Sequence, residues 1–171
     1  MDITYAQLAD ATWWHDVAER ELERARRLGD HVGVLLLDLD HFKDINDRFG
    51  HLTGDAVLRA VADVVRGCVR GHGPDLAGRW GGEEFVVLLP GLDPADLRAA
   101  AERIRAAIAA IAIRGVDRRT GEAVVIRLTA SVGAAMFPDH GGDLTTVLLA
   151  VDDAVYRAKD RGRDQTVTAS S

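Results

Sequence analysis

The stretch RWGGEEFVVLLP, Arg79 to Pro90, decides how the chain is organised around its central strands. Its apolar part, Phe85 to Leu89, predicts a buried strand, and Gly81-Gly82 predicts a tight turn that joins this strand to the preceding one. Glu83 and Glu84 stand between the turn and the strand. Adjacent carboxylates repel each other, so we expect a positive group to lie between them in the working protein.

The composition is that of an ordinary globular chain with an acidic balance. Of the 171 residues, 47% are hydrophobic and 28% are charged, and the length predicts one domain with a substantial core. The longest strongly apolar run, 32–37, is far shorter than the roughly 20 residues that cross a bilayer, and we find no signal-peptide pattern. The single cysteine, Cys68, fits a reducing compartment, so we expect a cytoplasmic location. A net charge of −6 disfavours a nucleic-acid polymer as partner.

Apolar residues recur at helical and strand spacings that alternate along the chain. Hydrophobic periodicity predicts long helices over 14–28, 55–69 and 94–113, and a fourth that begins at Asp143. A short helix follows Asp40, which we expect to cap it. Strands are predicted over 32–38, 76–80, 85–89 and 123–137, with a short edge strand within 161–169. This order predicts an α/β (α+β) fold, in which helices flank a mixed, largely antiparallel sheet.

Three carboxylates stand at predicted strand ends. Asp38 ends the first strand, and Glu83 and Glu84 precede the second strand of the hairpin. If these strands are neighbours, the three carboxylates meet at one edge of the sheet, and clustered carboxylates suit a hard cation such as Mg²⁺. The alternative weighs equally from spacing alone: Asp38 and Asp40 cap the short helix, and both glutamates are solvated.

The segment DLDHFKDIN, 38–46, predicts an anion site beside the carboxylates. A strand that runs into a helix N-terminus presents free amides, here near His41, Phe42 and Lys43, and the positive end of the helix dipole attracts an anion. The Lys43 side chain adds a positive charge at the same place. An exposed lysine with no binding role is the alternative.

At this point the residues match a family. The segments LLLDLDHFKDINDRFGHLTGD, RWGGEEFVVLLPG, LTASVGAAMFP and AVYRAKDRGRD together resemble the GGDEF domain of diguanylate cyclases, in its GGEEF variant. The resemblance implies a nucleotide-cyclase palm over 31–168, preceded by an N-terminal segment and helix over 1–30 and followed by a tail, 169–171. The implied activity is bacterial signalling chemistry: two GTP molecules condense into cyclic di-GMP and release two pyrophosphates.

The resemblance also implies roles for individual residues. Asp38, Glu83 and the Leu39 carbonyl resemble the metal ligands for Mg²⁺ or Mn²⁺, and Glu84 resembles the family's second catalytic acid. The positions that resemble the family's phosphate contacts are Phe42, Lys43, Lys159 and Arg163. Those that resemble its guanine contacts are Asn46 and Asp55, and Gly81 and Gly82 let the nucleotide approach the backbone. Because one domain holds one GTP, the resemblance implies a homodimer with its site at the interface.

Two stretches depart from the family pattern. In AQLADATWW, 6–14, Ala11 and Thr12 stand where the family carries two arginines, which puts domain positioning in doubt. We expect Trp13 and Trp14 to pack onto the domain. In the product-binding inhibitory site, Asp75 and Arg103 match the family.

The arginine position of that inhibitory site holds His72, so the site is degenerate and we expect weak feedback binding of cyclic di-GMP. Arg70 lies two residues away and could substitute for the missing arginine.

Two readings of function follow from the residues and the resemblance. The first is an active diguanylate cyclase, and the second is a catalytically weak GTP-binding module that signals through partner contacts. The intact acids favour the first, and the altered N-terminal element favours the second. A cyclase that makes mixed dinucleotides is a distant third, because Asp55 is in place. We expect an upstream sensor or dimerisation domain to be missing from this chain, since almost nothing precedes Asp2.

Overall fold

The chain folds as alternating helices and strands in a computed structural model that describes residues 8–69 and 75–170. The elements in chain order are α1 (Ala11–Leu28), β1 (Val32–Leu39), α2 (Phe42–Phe49), α3 (His51–Cys68), β2 (Leu76–Arg79), β3 (Glu84–Pro90), α4 (Pro94–Ala109), β4 (Ile113–Val116), β5 (Ala123–Ile126), β6 (Ala130–Phe137), α5 (Leu144–Asp160) and β7 (Gln165–Thr168).

A five-stranded sheet in the order β2-β3-β1-β6-β7 forms the centre of the domain. The pairs β2–β3, β3–β1 and β1–β6 are antiparallel, and β7 pairs with β6 in parallel. The predicted mixed, largely antiparallel sheet is therefore confirmed, and so are the hairpin and the edge strand. Strands β4 and β5 pair with each other in a separate two-stranded sheet.

The central strand β1 is buried on both faces because helices cover the sheet from both sides. Leu35 and Leu37 pack with α2, α3 and α4, while Val34 and Leu36 pack with α1 and α5. Because a strand sends alternate side chains to opposite faces, a nearly continuous apolar run is what this position requires. The observed register of β1 against β3 and β6 determines which residues meet at the strand ends.

The start of α5 and the end of α1 lie where the sequence predicts them. Asp143 accepts from the Thr146 amide at 2.8 Å and begins α5 as expected, and Gly29 ends α1 in the left-handed conformation. Leu28, the last residue of α1, is 61% exposed. Among the described residues, no helix is both long enough and apolar enough to cross a membrane.

The two neighbouring tryptophans of α1 differ in burial. Trp14 is fully buried, donates from its indole to the Leu76 carbonyl at 3.2 Å, and meets Trp80 edge to face at 5.5 Å between ring centroids. Packing onto the domain is thus confirmed for Trp14, whereas Trp13 is half exposed. Ala9 forms an isolated parallel bridge with Gly78 of β2, so the segment before α1 is attached to the edge of the sheet.

The largest differences from the sequence predictions lie between α4 and β6. Helix α4 ends at Ala109, and Ile113, expected at the end of that helix, begins β4. The single strand expected over 123–137 is two strands in different sheets, because Ile126 pairs with Ile113 while Ala130 pairs with β1. The apolar alternation continues through the break, since the residues on both sides pack into the same core cluster. Periodicity alone therefore could not reveal the change of partner.

The cap expected for α2 is also wrong. Helix α2 begins after His41, which has a left-handed backbone (φ 57°) and makes no side-chain capping bond. The Asp40 side chain points into the protein, where it accepts from the hydroxyls of Thr129 and Ser131, both at 2.7 Å. Two hydroxyl donors in a buried site satisfy a carboxylate that an exposed helix end would leave in water.

Candidate functional site

The strand register brings the predicted acids to one end of the sheet. Asp38 in β1 is paired directly with Glu84 in β3, and the Leu39 amide donates to the Glu83 carbonyl at 3.1 Å. Directly opposed residues of an antiparallel pair project from the same face, so the Asp38 and Glu84 carboxylates are close neighbours. The condition that the sequence left open, that these two strands lie side by side, is met.

The turn before β3 is stabilised by backbone hydrogen bonds and by the Arg79 side chain. The Trp80 amide donates to the Glu84 carbonyl at 2.8 Å, and the Arg79 guanidinium donates to the carbonyls of Gly81 at 3.1 Å and Gly82 at 2.7 Å. A β-carbon at Gly82 would meet nothing within 4 Å. Neither glycine has a positive φ. The turn therefore does not need glycine for its conformation, and the missing side chains leave free space in front of the acids.

A cavity of about 220 Å³ lies where the acids meet the start of α2 and the end of α5. Seven of its lining residues are predicted metal or phosphate contacts: Asp38, Leu39, Phe42, Lys43, Glu83, Lys159 and Arg163. Three neighbours, Asp40, His41 and Asp44, complete the lining. The predicted phosphate contacts and two of the three acids thus share one cavity. Oxygen donors on one side and cations with a helix N-terminus on the other suit a phosphate bound with a hard cation.

Within this cavity Lys159 forms an ion pair with Asp38. The residue expected to contact phosphate therefore contacts the carboxylate expected to bind metal. No group of three or more metal-binding side chains is preassembled in the parts of the chain that the structure describes. The donors that are present, two carboxylates and the Leu39 carbonyl, are still the hard oxygen set that Mg²⁺ and Mn²⁺ prefer, so the residues fit such a cation.

Burial raises the pKa of the Glu84 carboxyl above its ordinary value of 4.5, and the neighbouring Asp38 carboxylate raises it further. The Lys159 ammonium acts in the opposite direction, and Asp152 and Glu83 add smaller increases. Repulsion between the adjacent acids, expected from the sequence, thus acts on Glu84. A bound cation would relieve that repulsion directly.

The two predicted guanine contacts lie on adjoining turns of α2 and α3. The Asn46 side chain lies against Gly54, where a β-carbon would sit 1.8 Å from its Oδ1 atom. Asp55 follows Gly54 and is exposed. Helix α3 begins at His51, four residues before the predicted start, which places Asp55 inside the helix. Because Gly54 has no side chain, the Asn46 side chain can lie directly against α3.

Two residues predicted for the inhibitory site share a second cavity. Asp75 and Arg103 line about 290 Å³ together with Cys68, Leu92 and Asp96. Arg103 also donates to the Cys68 carbonyl at 3.1 Å. His72 and Arg70, on which the prediction of weak feedback depends, lie outside the described residues.

Two contributors to the site were missed in the sequence. The sequence predicts Asp40 as a helix cap, because its partners Thr129 and Ser131 lie about ninety residues away, beyond any local pattern. It predicts Arg79 only as part of a strand, although the Arg79 side chain donates to both glycine carbonyls of the turn. An arginine two residues before the glycine pair is the one signal in the sequence that points to this role of Arg79.

Comparison with known proteins relates this site to one family. The family model "Diguanylate cyclase, GGDEF domain" matches residues 4–165. The diguanylate cyclase DosC of Escherichia coli K12 is 37% identical over 149 residues, which cover 87% of this chain and 31% of that protein. The diguanylate cyclase DgcP of Pseudomonas aeruginosa is 42% identical over 151 residues, which cover 88% of this chain and 21% of that protein. The chain thus spans a third or less of these relatives.

Solved structures agree with the fold. The GGDEF domain of YfiN (TpbB) from Pseudomonas aeruginosa superposes with a TM-score of 0.86 at 33% identity, and the match covers 96% of this chain and 98% of that one. The GGDEF domain of DgcB from Caulobacter crescentus, solved in complex with c-di-GMP, gives 0.83 at 33% identity over 96% and 92%. An active GGEEF domain from Vibrio cholerae gives 0.80 at 27% identity over 96% and 99%.

Proposed function

The chain belongs to the GGDEF family of diguanylate cyclases, and from that membership we propose that it condenses two GTP molecules into cyclic di-GMP and releases two pyrophosphates. The proposed reaction is metal-dependent and takes place across a homodimer interface, in the cytoplasm. One observation carries the proposal: the β1–β3 register sets Asp38 opposite Glu84, and Asp38 lines one cavity together with Lys43, Lys159 and Arg163.

In this proposal Asp38, Glu83 and the Leu39 carbonyl hold Mg²⁺ or Mn²⁺, and the ion supplies charge neutralisation and a more acidic attacking hydroxyl. Lys159 pairs with the Asp38 carboxylate, and it would be released to contact the phosphates if Asp38 held a cation instead. Both roles assigned to these residues are thus compatible, one before and one after nucleotide binding.

The remaining residues bind and orient the nucleotide. The Phe42 and Lys43 amides at the start of α2 donate to phosphate oxygens, and Lys43 and Arg163 add positive charge. Asp55 and Asn46 bind the guanine edge, where a carboxylate accepts from both the ring N–H and the amino group. Adenine offers no such pair of donors, so a site with Asp55 rejects it.

Glu84 takes the proton from the ribose 3′-hydroxyl in this proposal. Its raised pKa brings the carboxyl closer to the working pH, as a proton acceptor requires. One domain binds one GTP, so the attacking hydroxyl comes from the nucleotide on a second copy of the chain. Two copies therefore face each other, related by a twofold axis.

A GTP-binding module with little turnover is the second candidate, and specific observations favour it. Asp38 is paired with Lys159, and Ala11 and Thr12 begin α1 where relatives of the family are expected to carry arginines. Such a module would keep nucleotide binding and signal through partner contacts.

The two candidates differ in turnover at equal nucleotide occupancy. Binding of a non-hydrolysable GTP analogue is measured by calorimetry with Mg²⁺, and GTP turnover is then followed by chromatography at a saturating concentration. The cyclase predicts conversion to cyclic di-GMP by the unmodified chain and loss of conversion in Glu83→Gln. Saturable binding with no product at tens of micromolar protein would select the module instead.

A further inference from the structure

Three consecutive residues after α5, Gly162 to Asp164, form a turn with positive φ throughout. The angles are 109° at Gly162, 65° at Arg163 and 44° at Asp164. A left-handed backbone is unfavourable for arginine, because its β-carbon crowds the following carbonyl, and two such residues in succession are rare. Strained backbone of this kind persists only where the surroundings fix it, and it is concentrated at functional sites. We call this segment the strained turn.

The strained turn is fixed by bonds on both of its sides. On the helix side, the Arg163 amide donates to the Ala158 carbonyl at 3.0 Å. On the other side, the Asp164 amide donates to Oδ2 of Asp40 at 3.0 Å, and Arg105 donates to Oδ1 of Asp164 at 2.6 Å. The Asp40 carboxylate is thus the anchor of the turn on the core side.

Asp40 is suited to this role because it is buried and fully engaged. It is 5% exposed, and its two oxygens accept three bonds, from the Thr129 hydroxyl, the Ser131 hydroxyl and the Asp164 amide. A buried carboxylate that accepts several hydrogen bonds forms stronger bonds than a neutral acceptor would. It therefore ties the end of β1 and the start of β6 to the strained turn.

The turn carries a residue of the candidate site. Arg163 lines the same cavity as Lys43 and Lys159, while Asp164, one residue on, is held by Asp40. We propose that Asp40 is a positioning residue that holds the strained turn and thereby sets Arg163 against the phosphate of the bound nucleotide. The inference rests on the proposed function, because it deepens the account of the phosphate contacts in that site.

The test has one readout that requires no nucleotide. Hydrogen exchange of the Asp164 amide is measured in the unmodified protein, in Asp40→Ala, in Asp40→Asn and in Asp47→Asn. The last is a matched control: the same change of charge on the exposed face of α2. We expect exchange at Asp164 to accelerate at least about tenfold in Asp40→Ala, less in Asp40→Asn, and not in the control, since the amide loses its acceptor. Unchanged protection in both Asp40 variants overturns the proposal.

The second readout separates positioning from general stability. Affinity for a non-hydrolysable GTP analogue with Mg²⁺ is measured for Asp40→Asn, Arg163→Ala and the double variant. We expect Asp40→Asn to weaken binding about three- to tenfold when Arg163 is present, and less than about twofold when it is absent. An equal loss in both backgrounds means that Asp40 does not act through Arg163, and the proposal fails.

The two readouts keep the proposals distinguishable. If the unmodified protein does not bind the analogue, the proposed function fails, while exchange at Asp164 still decides whether Asp40 holds the turn. If Asp40→Ala does not fold, Asp40→Asn carries both measurements, because an amide of the same shape keeps one acceptor oxygen.

Discussion

Replacement of Gly54 by alanine should weaken guanine binding without unfolding the protein. The added β-carbon would sit 1.8 Å from Oδ1 and 2.9 Å from Cγ of Asn46, and 3.5 Å from Cζ of Phe42. The phenyl contact is an ordinary one, but the contact with Asn46 is impossible. Because the obstructed atom is the end of a side chain, Asn46 can rotate away while the helices stay in place.

The size of the effect follows from that displacement. An ordinary contact begins near 3.4 Å, so Oδ1 of Asn46 must move by 3.4 − 1.8, or about 1.6 Å. A hydrogen bond does not survive such a shift. Loss of one such bond costs about 0.5–1.5 kcal/mol, so affinity for GTP should fall about two- to twelvefold. Meanwhile the exchange of glycine for alanine inside α3 adds up to about 1 kcal/mol of helix stability.

Gly67 provides the matched control on the same helix, because a β-carbon there meets nothing within 4 Å. Both variants are examined by thermal unfolding and by calorimetric titration with a non-hydrolysable GTP analogue. Gly67→Ala should be somewhat more stable and bind the analogue normally, whereas Gly54→Ala should bind it more weakly. Equal affinity in the two variants would refute the placement of Asn46 at the base.

Three further predictions test other parts of the site. Glu84→Gln should stabilise the nucleotide-free protein at pH 7, because a carboxyl with a raised pKa opposes folding when it is ionised. This gain in the free energy of unfolding should vanish below pH 4.5, the ordinary pKa of the group, and urea unfolding at several pH values measures it. Asp55→Ser should lower the preference for GTP over ATP in competition binding, and an unchanged ratio would mean that the base is read elsewhere. His72→Arg should tighten cyclic di-GMP binding roughly tenfold or more in calorimetry, because arginine adds a permanent charged fork; submicromolar binding by the unmodified protein at neutral pH would contradict the weak feedback expected here.

The sequence predicted the mixed, largely antiparallel sheet and the hairpin, but it left open whether β1 and β3 are neighbours. The apolar run of β1 predicted a buried strand and the glycine pair predicted the β2–β3 hairpin, whereas the pairing that sets Asp38 opposite Glu84 is a property of the folded sheet. The break between β5 and β6 was beyond periodicity, because Ile126 and Ala130 face the same core cluster while pairing with different strands.

Contacts between distant segments account for the rest. Asp40 looked like a cap because local spacing offers a helix start and says nothing of Thr129 or Ser131. The Lys159–Asp38 pair and the strained turn at Arg163 depend on where α5 ends relative to β1, which tertiary packing decides. The sequence could therefore suggest which residues act together, but not which of them are bonded before a ligand binds.

In the proposed function, the acids at the β1–β3 edge catalyse the condensation of two GTP molecules. The most direct measurement is the stoichiometry of the reaction. GTP is incubated with Mg²⁺ and tens of micromolar protein, and the released pyrophosphate and the cyclic di-GMP, identified by mass spectrometry, are both quantified. We predict two pyrophosphates for each cyclic di-GMP, and a fall of both by orders of magnitude in Asp38→Asn and Glu83→Gln that retain the fold. Turnover in either variant close to that of the unmodified chain would contradict the claim.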